Sequence, residues 1–174
     1  MNALDALPLL RHMEWADALV WRGVQVLSPS PEVDAAFRER LTHIHVVQRA
    51  FLQMWQKAPV TAPAEAEKLT DLAAVQAWTR PSYAEGQATI AALGIADFER
   101  PIVVPWSQYY MAEGKPPAIP SLAETIVQVA SHSTYHRGQV NTLLRSMGVK
   151  PSNTDFIAWI WQGKPAPDWS RPSA

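Results

Sequence analysis

Cysteine is absent from this chain of 174 residues. That excludes disulfides, thiolate metal sites, iron–sulfur clusters and a cysteine nucleophile. It says little about compartment. An excess of charge is absent too: Lys and Arg number 15 against 16 Asp and Glu, a formal net charge of −1. Phosphate recognition needs a concentrated basic surface, and the densest basic stretch is the short Arg38–Glu39–Arg40. No nucleic-acid partner is expected. No run approaches the roughly 18–20 apolar residues of a membrane span. The opening MNALDALPLL lacks a basic start followed by a long apolar core. A soluble cytoplasmic protein with no membrane partner is the expectation.

Tryptophan and proline are plentiful instead, at 8 and 15. The prolines gather at 29–31, 59–63, 101–120 and 165–172, and the stretches between them are candidate helices. A single domain over 1–174 with a proper core is expected at this length.

Four long helices follow from the periodicity. The first covers about 3–27, where Leu7, Leu10, Trp15, Leu19, Val20, Val24 and Leu27 form a stripe. Pro8 argues for a start close to it. The tight SPSPE break at 28–32 makes the first two helices an antiparallel pair. The second runs about 32–57, capped by Ser30 with Pro31 in its first turn. The third covers about 70–93, with Thr70 as cap and a kink or break at Pro81. The fourth spans about 121–147, opened by the Ser121/Glu124 capping-box spacing and closed by Gly148.

Residues 95–120 hold five prolines between β-branched and aromatic residues. This segment reads as a non-helical insertion, an ordered lid or wall with room for a short strand pair. The fold class is therefore all-α, a four-helix bundle with long crossover connections.

The question posed by residues 130–140, ASHSTYHRGQV, is whether His132 and His136 form a metal-binding face. One turn apart on a helix, their Cβ atoms lie about 6 Å apart, close enough to share one divalent ion. The plainer reading is a polar seam. A third ligand must come from another helix, and His43 and His45 are the options. Two residues apart, they face directions about 160° apart. Ile44, Val47, Phe51 and Trp55 mark the core side, which places His43 inward and His45 nearer the edge. Periodicity prefers His43 without excluding His45. Three imidazoles with open positions suit Zn, Ni or Fe(II).

HSTYHRGQVNTLLRSMGVKPSNTDF resembles the fourth-helix signature of the DinB/YfiT-like family, LTHIHVVQRAFLQMW its second-helix pattern, and HMEWADALVW its first-helix segment. The resemblance implies an up-down-down-up four-helix bundle, often a homodimer. It implies a divalent metal on His43, His132 and His136, and so selects His43. Members with known activity are often thiol-dependent transferases or isomerases that use a low-molecular-weight thiol. Many others have no established activity. Numerous relatives carry another histidine one turn before the first fourth-helix ligand, where this chain has Gln128. That departure puts in doubt any mechanism needing a base there.

Arg137 has two readings, a carboxylate clamp for a thiol or substrate and a salt bridge to an acid such as Asp17 or Asp155; the salt bridge is expected. Gly138 reads as a site of close approach for another helix or a dimer mate. His12 is expected to be a polar residue at the bundle end and Glu14 a solvated acid. Trp15, Trp21, Trp55 and Trp159 are expected in packing. Trp106, Tyr109 and Tyr110 are candidates for a pocket wall.

Three functions compete. The first is a metal-dependent enzyme acting on a small molecule through a metal-activated thiol or water. The second is a metal-binding stress-response module without turnover. The third is a structural dimerisation domain. An enzyme needs an open coordination position, whereas a holding site is closed.

Overall fold

The computed structural model describes residues 1–172, so the last two residues of the expected domain lie outside it. The described chain is all-helical: α1 (Ala3–Val26), α2 (Pro31–Trp55), a short α3 (Ala62–Ala66), α4 (Leu72–Ala91), α5 (Leu122–Ser146) and a short α6 (Phe156–Trp161). No strand forms among the described residues.

Capping residues set the helix starts. The Asn2 side chain accepts from the N–H groups of Leu4 and Asp5, and Asp5 reaches back to Asn2, so α1 begins well ahead of Pro8. Ser30 caps α2 with Pro31 in its first turn, as the sequence indicates. On α4 the cap is Asp71, not Thr70: its carboxylate accepts from Ala74 N–H at 2.8 Å. Nor does α4 break at Pro81, which lies inside a continuous helix. Val75, Tyr83 and Ile90 are buried on either side of it. Each such side chain contributes about 1.5–3 kcal/mol, together more than the roughly 3 kcal/mol that an interior proline costs. Ser121 and Glu124 form the capping box of α5, and Gly148 follows its end at φ +80° in the left-handed region.

A link of only four residues joins α1 to α2, yet each packs chiefly against α4 and α5. The first two helices, expected as an antiparallel pair, thus face each other across the core. Two apolar clusters fill that core. One gathers Leu10 and Met13 of α1, Phe51 and Trp55 of α2, Ile90 of α4, and Leu122 and Ile126 of α5. The other gathers Val20 and Val24, Phe37 and Leu41, Val75, and Val140 and Leu144. On every long helix, the residues separating the two clusters include buried polar ones: Asp17, His45 and Gln48, Thr79, Ser133 and Arg137.

The proline-rich insertion closes the first cluster. It forms two 3-10 turns, Ile95–Glu99 and Ser107–Tyr110, and a lone bridge between Pro101 and Ser121 where the sequence left room for a strand pair. Its prolines withhold the donors that a ladder needs. Phe98 and Ile102 are buried, and the Trp106 ring stands edge-on to Phe51 at 5.7 Å. Trp106 is therefore a packing residue. Tyr109 and Tyr110 are exposed. After α5 the chain returns to α1, where Trp159 of α6 packs on Trp15 and Ala16.

Candidate metal centre

The α5 histidines stand one turn apart, as their spacing requires, with ring centroids 4.3 Å apart. His43 of α2 comes up beside them, 5.0 Å from the His132 ring and 4.5 Å from the His136 ring. One nitrogen from each of the three lies within 4.8 Å of the others, so the cluster could hold a metal ion.

His43 arrives there by a different face from the one periodicity favours. It is exposed, whereas His45 is buried at 2% exposure. The inward assignment of His43 is thus reversed. The triad lies on the outer seam between α2 and α5, and His45 turns into the core. His43 is exposed as a residue, but its Nε2 end points into the cluster, 3.2 Å from His132 Nε2.

That distance tests the fit. Two nitrogens bound at about 2.05 Å to one tetrahedral ion stand about 3.3 Å apart. Two of the rings are also held toward the neutral form, which keeps a lone pair. Desolvation, then the His136 and His43 charges, pushes His132 down to about 4. Desolvation and His136 lower His43 as well, against an opposing pull from Glu39. Neutral imidazole is the form that binds metal. The donor set therefore fits a divalent transition metal. His132 and His136 are half-buried and His43 exposed, so the cluster is open to solvent on one side.

The profile of the DinB family matches residues 2–167. The chain belongs to the DinB family. Neither curated proteins nor solved structures supply a match.

Behind the triad, this DinB protein carries a buried polar network that its sequence signals only faintly. The Trp21 indole N–H donates to His45 Nε2 at 3.0 Å. That leaves the His45 proton on Nδ1, which faces Gln48 Oε1 at 2.9 Å. The Gln48 amide then donates to Asp17 Oδ2 at 2.8 Å and to Ser133 Oγ at 3.0 Å. Asp17 also accepts from Tyr83 OH at 2.8 Å and from Arg137 Nη1 at 2.9 Å. These bonds run in one consistent direction, and all four long helices take part.

Arg137 is thus the salt-bridge residue, with 1% exposure, and no clamp for substrate. Burial, reinforced by Asp17, raises the Tyr83 phenol well above its usual range. Burial lowers His45 against the opposing pull of Asp17 and Gln48. Asp17 was legible as a lone acid within WADALVW, while Gln48, Tyr83 and Ser133 carried no comparable signal.

The remaining candidates fall outside the cluster. The buried His12 ring faces the Thr154 carbonyl, 2.9 Å from its Nε2, and joins α1 to the segment before α6. Glu14 is half-buried, not solvated, and accepts from Gln87 at 2.8 Å and Trp169 at 3.3 Å. Gln128 is exposed one turn before His132. Among the described residues, nothing lies within 4 Å of where a Gly138 Cβ would stand, so that glycine admits no neighbouring helix here.

Proposed function

We propose that the protein is a metal-dependent enzyme whose centre is His43, His132 and His136. The observation that carries this reading is the convergence of three imidazoles from two helices, with two Nε2 atoms 3.2 Å apart. An ion held there would lower the pKa of a bound water or thiol and supply a nucleophile at neutral pH. The chain's own residues would bind the ion and hold it at a seam open to solvent, where a small molecule can approach. The Asp17–Arg137 network would fix the rotation of α5 beneath the ligands. With no cysteine in the chain, a thiol nucleophile must come from a low-molecular-weight cofactor. Thiol-dependent transfer or isomerisation is the activity proposed, and the open side of the cluster favours it over a closed holding site.

The same reading takes the fold as an up-down-down-up bundle. The order in which α1, α2, α4 and α5 pass the two core clusters supports this: the first and last in one direction, the middle two in the other. It also takes the protein as a cytoplasmic homodimer; no helix among the described residues is long and apolar enough to cross a membrane. Sedimentation of the purified protein tests the dimer.

Elemental analysis of protein purified without chelator tests the centre, with His43→Ala, His132→Ala and His136→Ala in parallel. About one equivalent of Zn, Ni or Fe in the wild type, lost in variants that stay folded, is the expected result. No metal in the wild type after reloading with each ion would end the metalloenzyme reading.

A further inference from the structure

We infer that Gln139 is a positioning residue that sets the ring tautomer of His136 and keeps its Nε2 lone pair free toward His43 and His132. The inference rests on the metal-centre reading above and adds a determinant of affinity that the ligands alone do not contain.

The geometry is local. Gln139 lies three residues after His136 on α5, and its Oε1 is 2.9 Å from His136 Nδ1. An amide oxygen only accepts, so the ring proton sits on Nδ1. A neutral imidazole free in water prefers its proton on Nε2, the atom that must be bare to bind an ion beside His43 and His132. Gln139 inverts that preference before any ion arrives. From the other side, the Tyr135 ring stands edge-on to His136 at 4.9 Å and 85°, which restrains its rotation. The other two ligands lack such support among the described residues. His132 Nδ1 is buried without a partner, and the bond made by His43 is to His132 itself. His136 is therefore the preorganised member of the set. Groups that bond the outer nitrogen of a ligand histidine typically change metal affinity by about 10–100-fold.

The test uses the full chain with Gln139→Leu and Gln139→Glu. Zn and Ni affinities are measured by chelator competition, and the ring tautomers of the metal-free proteins by nitrogen-15 NMR. The expected result is affinity weaker by about tenfold in Gln139→Leu and equal or tighter in Gln139→Glu, whose carboxylate is the stronger acceptor. Metal-free melting temperatures should stay together, because Gln139 is exposed. A merely structural role would move melting and leave the tautomer alone. In the metal-free wild type, His136 should carry its proton on Nδ1 and lose that preference in Gln139→Leu. Equal affinities in wild type and Gln139→Leu overturn the inference, as does a wild-type proton on Nε2. If the wild type binds no metal, the metal-centre reading fails by itself, and the tautomer measurement still decides the role of Gln139.

Discussion

Gln48 donates one amide hydrogen to Asp17 at 2.8 Å and the other to Ser133 at 3.0 Å, and so joins α1, α2 and α5 through one side chain. Ser133 is the residue next to His132, and Arg137, bonded to the same Asp17, is the residue next to His136. On a helix, neighbours point about 100° apart. The bonds that hold the inner face of α5 therefore also set the direction of its ligand face.

Asp17 is the hub of that arrangement, and Asp17→Ala is expected to lower stability by about 3–5 kcal/mol, because it strands a buried guanidinium. Tyr83→Phe removes one of three donors to Asp17 and should cost about 1 kcal/mol. Urea unfolding of the two variants measures both. Equal and small losses would show that the network is slack.

His43 and His45 should separate cleanly. His43→Ala is expected to lose metal while keeping wild-type stability, since its side chain is exposed. His45→Ala leaves the Trp21 N–H and the Gln48 carbonyl unpaired, and is expected to cost about 2–4 kcal/mol while folded protein still binds metal. Metal content and urea midpoints, read on the same samples, check the split. Loss of metal in His45→Ala with His43→Ala still loaded would reverse the ligand assignment.

Binding should also register as stability. An ion present at about 100 times its Kd adds about 2.7 kcal/mol to a protein that binds only when folded. Thermal melts with and without excess Zn or Ni are expected to rise for the wild type and stay level for His132→Ala.

Acid should loosen the joint between α1 and α6. Desolvation holds the His12 pKa below 6.5; the Thr154 carbonyl, Asp17 and Asp155 oppose it, and Arg137 reinforces it. Below about pH 6.5 the unfolded chain takes up this proton before the folded one, so stability falls as pH drops toward the folded value. His12→Gln keeps a donor toward Thr154 without titrating there. Its urea midpoint is expected to fall less than that of the wild type between pH 7.5 and pH 5.5, values chosen to bracket the roughly 6.5 of free histidine. Parallel curves would remove His12 from the acid response.

Much of this protein was legible in one dimension. The 3.6-residue period located all four long helices to within a few residues. Capping chemistry at Ser30, Ser121 and Glu124 was readable because it is local, a side chain serving a backbone N–H two or three residues away. The i, i+4 spacing of His132 and His136 is equally local. What failed was whatever depended on a partner distant in sequence. The break at 28–32 correctly separates two helices, but a short link does not say whether they pack as neighbours or face each other across a core.

The facing of α2 shows the limit most sharply. Its apolar stripe names a core side, and a single-helix projection sets His43 beside it with a modest preference over His45. The assembled protein turns His45 inward because Trp21 from α1 and Gln48 from its own helix satisfy both ring nitrogens there, and a buried imidazole is tolerable only when so satisfied. His43, left outside, meets the α5 pair at the seam. The sequence by itself determined the helices, their caps and the spacing of one ligand pair, all properties of residues a turn apart. Only the tertiary structure decided which α2 histidine joins that pair and which polar residues lie behind it, because buried hydrogen bonds are made between helices whose partners no local pattern records.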